Sequence, residues 1–226
     1  IDSFHKSVMC LIKKSVKGSF ASGGITSYFV NMASEGLLEK LMDVQCFDLD
    51  AVNSYANNKF HYGMSDSKYA NPYDEPVVNN LDFVILGATE IDLNFNVNVT
   101  TDSYGNIMGG SGGHSDTAHG AKVSVITTNL IKSRLPIIKK EVTTITTPGQ
   151  DIDILVTERG IAINPLRKDL LKKLEGSKLP IKTIEELYET AHAITGVPAT
   201  LKQSDKVVGL VQYRDGTIID CLYKVE

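Results

Sequence analysis

An acid and a crowd of glycines lie within about forty residues of each other in the stretch LDFVILGATEIDLNFNVNVTTDSYGNIMGGSGGHSDTAHGA, which runs from Leu81 to Ala121. A carboxylate such as Glu90 can attack a carbonyl carbon, move a proton, or set the local field for either event. Glu90 and Asp92 follow a short apolar run, residues 82–88, closed by Gly87 and Ala88. That run suits a central strand covered on both faces, as in a parallel sheet. Ligands of open α/β sheets bind beyond the carboxyl ends of the strands, so Glu90 is well placed for catalysis. The plainer alternative is a solvated loop glutamate.

Gly109, Gly110, Gly112 and Gly113 fill four of the five positions around Ser111, with His114 and Asp116 immediately after. Glycine tolerates positive φ and carries no Cβ, so successive amides can converge on an anion or on the oxyanion of a tetrahedral intermediate. Gly112 and Gly113 are candidate catalytic donors, and Gly109, Gly110, Ser111 and Asp116 candidate substrate contacts. His114 is a candidate hydrogen-bonding or proton-handling group. A surface turn with a backbone-satisfied histidine is the competing reading. No Gly-Lys-Ser/Thr follows, so this is not a nucleotide P-loop, and the spacing does not fit the dinucleotide fingerprint. His114, Asp116 and His119 lack the spacing of a zinc helix, so no metal is expected there.

Two further places carry candidate contacts. Gly23 and Gly24 form a turn before an amphipathic pattern over residues 26–43 capped by Thr26 or Ser27, and amides at a helix start favour phosphate or carboxylate. Arg159 follows the apolar strand expected over residues 152–157. It suits either a bidentate grip on a carboxylate or a local ion pair with Glu158.

The runs LGATEIDLNFNVNV, GGSGGHSDTAHGAK and EVTTITTPGQDIDILVTERGIAINP resemble the citrate lyase alpha-chain family, the citrate CoA-transferase subunit. The likeness extends upstream through DVQCFDLDAV and ASGGITSYFV to about Phe20, and downstream to the final YRDGTIIDCLYKV. More distantly, Thr89-Glu-Ile-Asp92 and the glycine loop resemble other CoA-transferases, in some of which a glutamate attacks the acyl thioester. That role would land on Glu90. The resemblance implies an α/β fold, an open and mostly parallel sheet flanked by helices, with a C-terminal β-hairpin. It implies acyl transfer between acetyl-acyl carrier protein, or acetyl-CoA, and citrate, giving a citryl thioester and acetate. No tightly bound cofactor is implied beyond the CoA-like group of the thioester.

The implied partners are the N-terminal half of the same subunit, the beta (citryl lyase) and gamma (acyl carrier) subunits, citrate and an acetyl thioester, in a cytoplasmic oligomer. The family's alpha chain is about twice as long, so the resemblance makes this the second half, with residues 1–19 a linker and 20–226 the second domain. Glu90 would act either as covalent nucleophile or by positioning citrate for direct attack, and Glu90→Gln is expected to fold normally while losing transfer. A non-catalytic ligand-binding or assembly half, of the fold shared with sugar-phosphate isomerases, is the alternative.

The composition agrees with such a role. A length of 226 residues with 42% hydrophobic content is enough for one large core. A net charge of −4 with mixed signs offers no basic field for nucleic acid or membrane. Three cysteines, Cys10, Cys46 and Cys221, have no C-x-x-C spacing, so neither a disulfide framework nor a thiolate zinc site is expected. The remaining expected elements are strands over residues 44–47, 95–99, 121–127 and 142–147, helices over 48–57, 167–175 and 183–194, and a loop over 61–74. The basic cluster Lys132, Arg134, Lys139 and Lys140 reads as a solvated face, and Asp215-Gly216 marks a hairpin.

Overall fold

The computed structural model describes residues 17–226, so the linker expected over residues 1–19 lies outside it as far as residue 16. Two units divide the chain after Leu81.

The first unit alternates strand and helix: β1 (Gly18–Ile25), α1 (Ser27–Ser34), β2 (Leu38–Cys46), α2 (Leu49–Asn57), β3 (His61–Gly63) and α3 (Asp66–Ala70). The strands are parallel in the order β1-β2-β3. Ile25, Val30, Ala33, Leu41 and Ala51 make its buried core. One carboxylate starts two helices, since Asp48 Oδ1 accepts from Ala51 N at 2.8 Å and Oδ2 from Ser27 N at 2.7 Å. The cap expected from the side chains of Thr26 or Ser27 is therefore supplied by Asp48, whose carboxyl these amides hold below its usual range, Ser27's foremost. The helix expected to reach Asp43 stops at Ser34. Gly36 turns left-handed at φ 76° and donates to Ala33 O at 3.0 Å, while Leu37 N returns to Met32 O at 2.9 Å. Leu38 and Leu41 beyond it, which fit helical spacing, belong to β2 instead.

The second unit begins with β4 (Val84–Leu86), β5 (Glu90–Asp92), β6 (Val97–Asn98), α4 (His114–Gly120), β7 (Ser124–Thr127), β8 (Ile131–Lys132), β9 (Leu135–Pro136) and β10 (Ile138–Lys139). It continues with β11 (Ile154–Thr157), β12 (Gly160–Ile163), α5 (Lys168–Leu174), β13 (Ile181–Lys182), α6 (Ile184–Thr195), β14 (Gln203–Gln212) and β15 (Ile218–Val225). The main sheet has the order β13-β12-β11-β7-β4, parallel except at the β11–β12 hairpin, and a smaller sheet has the order β10-β5-β6. The fold is α/β with parallel-rich sheets, helices and a C-terminal hairpin. The strand expected to be central, β4, is one of the two edge strands, pairing with β7 over only three residues before Gly87 ends it.

The core gathers Ile91, Phe95, Ile126, Ile138, Leu155 and Leu187 with their neighbours. Leu187 comes from α6, which opens on a capping box between Thr183 and Glu186. Leu170, Leu171 and Leu174 of α5 are not buried, and α6 supplies Ile184, Leu187 and Ala191 to the core.

Two turns share one design. Asp92 Oδ1 accepts from the amides of Asn94 and Asn96 and Oδ2 from the Asn96 side chain, and Asp102 repeats this with Tyr104 and Asn106. The left-handed position is Gly105 at φ 78° in one and Phe95 at φ 65° in the other, where burial of the ring holds the less favoured backbone.

The hairpin β14–β15 is tied to the rest of its unit by polar contacts. Arg214 Nε lies 3.3 Å from Asp116 Oδ1, Ile145 N donates to Asp220 Oδ2 at 2.6 Å, and the Tyr213 hydroxyl donates to Asp151. Among the described residues no helix is long and apolar enough to cross a membrane.

Gly149 joins the two sheets. Its amide donates to Asn96 Oδ1 at 2.8 Å, its carbonyl accepts from Asn164 Nδ2 at 2.8 Å, and an added Cβ would fall 1.9 Å from Asn94 O. Gly149→Ala must displace backbone, and denaturant unfolding should show a loss of about 1–3 kcal/mol or more. Unchanged stability would contradict the packing described.

Candidate functional site

The carboxyl ends of the parallel strands β4, β7 and β11 lie at one edge of the main sheet, where Gly87, Thr128 and the Glu158-Arg159 turn follow them. After β4, residues 87–89 cross to the smaller sheet, and Glu90 opens β5 opposite Asn98.

Glu90 is fully buried, and donors engage both carboxylate oxygens. Oε2 accepts from Asn98 Nδ2 at 3.0 Å and Thr143 N at 2.8 Å, while Oε1 accepts from Ser103 Oγ at 2.7 Å and lies 3.7 Å from Lys139 Nζ. Burying an ionised carboxylate is costly unless it is paired and hydrogen-bonded, and here it is both. Asn98 is fixed in turn, its Oδ1 accepting from the amides of Thr100 and Thr101 at 3.0 Å each. Glu90→Gln would set an amide NH2 among donors, so the enclosure seen here makes a loss of stability, rather than normal folding, the expected outcome for this variant. Lys139, expected on a solvated face, is largely buried beside Glu90. The strand expected over residues 142–147 forms no continuous ladder. Its threonines spend their hydroxyls instead, Thr144 on Thr101 at 2.9 Å and Thr146 on Thr100 at 2.8 Å.

The glycine loop is open. A Cβ added at Gly109, Gly110 or Gly112 meets nothing within 4 Å, and Gly109 and Gly112 take positive φ of 153° and 55°. Among the described residues no acceptor takes the amides of residues 109–113. The loop runs beside the end of β4. His114 Nε2 lies 2.9 Å from Gly87 O, and Thr89 Oγ1 lies 3.9 Å from Met108 Sδ.

A carbonyl only accepts, so Nε2 carries the proton, and Nδ1 accepts from Thr147 Oγ1 at 2.7 Å. Burial pushes the His114 pKa down, with the Gly87 carbonyl opposing, so the ring is a neutral brace with both nitrogens used. Ser115 Oγ donates to Thr146 O at 2.6 Å, so two successive residues of α4 hold the Thr146-Thr147 segment.

The candidates therefore separate. Residues 109–113, Gly87 and His114 come together. The Glu90 carboxylate contacts none of that loop's amides, its partners being Asn98, Ser103, Thr143 and Lys139. Asp116 faces Arg214, and burial raises its pKa against the opposing pull of that guanidinium. Arg159 is exposed in the β11–β12 turn, 3.9 Å from Glu158 Oε1, a separation that contributes little to stability.

Gly23 and Gly24, expected in a turn, are strand residues of β1 in the first unit. Gly24 is there because the Phe47 ring covers it, leaving 2.0 Å to an added Cβ. The residues missed from sequence were Asn98, Ser103, Thr143, Thr147 and Lys139. Alternating polar positions in VNVTTDSYG and VTTITT were the available signal, since hydroxyls and amides on buried strands must find partners.

The family model described as citrate lyase, alpha subunit, matches residues 3–225. The chain is 46% identical over 215 residues to the citrate lyase alpha chain of Haemophilus influenzae, covering 95% of this chain and 43% of that one. It is 44% identical to the Klebsiella pneumoniae citrate lyase alpha chain, covering 95% of this chain and 42% of that one. A citrate lyase alpha-subunit structure from Streptococcus mutans, in complex with citrate, superimposes with a TM-score of 0.93 at 45% identity, covering 96% of this chain and 43% of that one. The chain spans less than half the length of the curated relatives it matches.

The brace at His114 makes a pH-dependent contribution. The folded pKa is depressed from 6.5, so the stabilisation is fully present above that value and is lost as pH falls from it towards the folded pKa, the interval in which only the unfolded ring readily takes a proton. The stability advantage of wild type over His114→Gln should shrink on going from about pH 7.5 to about 5.5, by up to about 1.4 kcal/mol per pH unit. A difference independent of pH, measured by urea unfolding, would contradict this assignment.

Proposed function

The chain belongs to the citrate lyase alpha-subunit family, and on that premise we propose that it forms part of an acyl transferase that exchanges the acetyl group of a thioester for citryl. The acetyl donor is acetyl-acyl carrier protein or acetyl-CoA, and the products are a citryl thioester and acetate. A citrate carboxylate oxygen attacks the acetyl carbonyl and expels the thiolate, leaving a mixed anhydride. The thiolate then attacks the citryl carbonyl and acetate departs with the anhydride oxygen. The rest of the subunit, a citryl lyase subunit and an acyl carrier subunit are the proposed partners, in the cytoplasm.

What carries the reading is the loop over residues 109–113, whose amides have no acceptor among the described residues and lie beside the carboxyl end of β4. Each step above develops charge on a carbonyl oxygen, and preorganised amides stabilise that charge. His114 keeps the loop against Gly87 and transfers no proton. Arg159 lies two strands from β4, roughly 10 Å at the usual strand spacing, and is proposed to hold a distal citrate carboxylate. The citrate bound to the Streptococcus mutans relative supports citrate as the acceptor.

Direct attack by citrate is favoured over a covalent glutamyl intermediate because Glu90 is enclosed and its oxygens are occupied. Glu90 serves as a positioning residue, an anion that fixes the Asn98 turn and the segment beginning at Thr143. Borohydride added with acetyl-CoA to the complete subunit should leave residue 90 unmodified, and recovery of the reduced side chain there would overturn this mechanism.

Gly110→Val in the complete subunit supplies the test of the site. The position is exposed and open, so the fold tolerates the side chain, while a thioester at the loop does not. Acetyl transfer to citrate should fall by about 100-fold or more, the lower side of what losing one oxyanion donor costs. Transfer at the wild-type rate would place the reaction elsewhere.

A further inference from the structure

In the first unit Asp43, Cys46 and His61 bring a carboxylate oxygen, a sulfur and an imidazole nitrogen within 4.8 Å of one another. Asp43 lies on β2, Cys46 ends that strand, and His61 begins the adjacent β3. None of them has a part in the acyl transfer above. The imidazole is wholly buried, with Nδ1 3.0 Å from Ser54 Oγ. Nε2 lies 3.2 Å from Asp43 Oδ1, yet it makes no hydrogen bond to that oxygen or to any other described acceptor. The distance is short and the direction is wrong.

A buried ring nitrogen left in this state is costly for a simple structural brace. It is the arrangement expected of two ligands of one cation, which touch while their lone pairs converge on a third point. With metal–nitrogen and metal–oxygen bonds of about 2.0–2.1 Å, a tetrahedral centre separates its N and O ligands by about 3.3 Å, close to the separation seen. Cys46 Sγ donates to the other oxygen of the same carboxylate, Oδ2, at 3.3 Å.

Two surroundings complete the comparison with a metal centre. Ser54 Oγ, which also accepts from Asn58 Nδ2 at 3.1 Å, is positioned to accept a hydrogen bond from Nδ1–H and leave the Nε2 lone pair free, the usual outer-sphere support of a ligating histidine. Asp43 and Cys46 also line a cavity of about 400 Å³ with Tyr55, Gly63, Met64 and Ser65, so the cluster is reachable from outside.

We propose that Asp43 Oδ1, Cys46 Sγ and His61 Nε2 bind one divalent transition-metal ion of the zinc class, with a fourth position open to the cavity for water or a small oxygen donor. Cys46 enters as the thiolate, its proton passing to solvent. The mixed sulfur, nitrogen and oxygen set suits zinc or cobalt and disfavours magnesium or calcium, which take oxygen ligands.

The test uses the whole 226-residue chain, freed of metal with a chelator and titrated with Co²⁺. One equivalent should bind, with a near-ultraviolet thiolate-to-cobalt charge-transfer band and the visible bands of tetrahedral cobalt, and Zn²⁺ should displace it. Cys46→Ser should abolish the charge-transfer band. Ser54→Ala, which removes only the support of Nδ1, should keep the band and weaken affinity by about 10–100-fold. Circular dichroism of each variant reports whether the fold is kept. Absence of the band in wild type, its survival in Cys46→Ser, or unchanged affinity in folded Ser54→Ala would each overturn the proposal.

Discussion

A carboxylate buried at Glu90 has to be answered by donors, and the segments that answer it are those that frame the edge of the main sheet. Asn98 and Ser103 come from the β6 hairpin region, Thr143 from the threonine segment, and Lys139 from β10. An unpaired charge there would destabilise the unit strongly, so the chain cannot vary these segments independently. Their geometry is then handed on through hydroxyls, since Thr144 and Thr146 tie the threonine segment to Thr101 and Thr100.

The same segment reaches the glycine loop through His114. Thr147 donates to Nδ1 while Nε2 donates to Gly87, and the ring thereby links the end of β4, the start of α4 and the neighbourhood of Glu90. This division of labour explains why the glycines are free. Rigidity resides in the buried acid, the neutral histidine and the threonines, which leaves residues 109–113 with open amides and no packing duty. Sites of this kind gain from preorganised dipoles, because none has to reorient as charge develops.

Much of this was legible in the residues. The parallel-rich α/β class, the C-terminal hairpin at Asp215-Gly216 and the helix over 183–194 followed from apolar runs and turn residues. Features decided by tertiary partners were not. Leucines at helical spacing fell on β2 because Gly36 closed α1, and the cap of α1 came from Asp48, twenty-one residues beyond Ser27. Glu90 was readable as important from its position after an apolar run, but its enclosure depends on Asn98, Ser103 and Thr143, whose side chains and backbone give no local sign of a common target. Asp43, Cys46 and His61 escaped notice for a similar reason, as they meet only across the β2–β3 pairing.

The central claim is that Glu90 acts as an enclosed anion holding these segments together, and the urea unfolding of Glu90→Gln measured against wild type tests it most directly. The substitution preserves shape and removes charge and acceptor capacity, so the account predicts a loss of about 1–3 kcal/mol in unfolding free energy. Stability equal to wild type, with the folded variant merely inactive, would contradict it and favour the role of covalent nucleophile for Glu90.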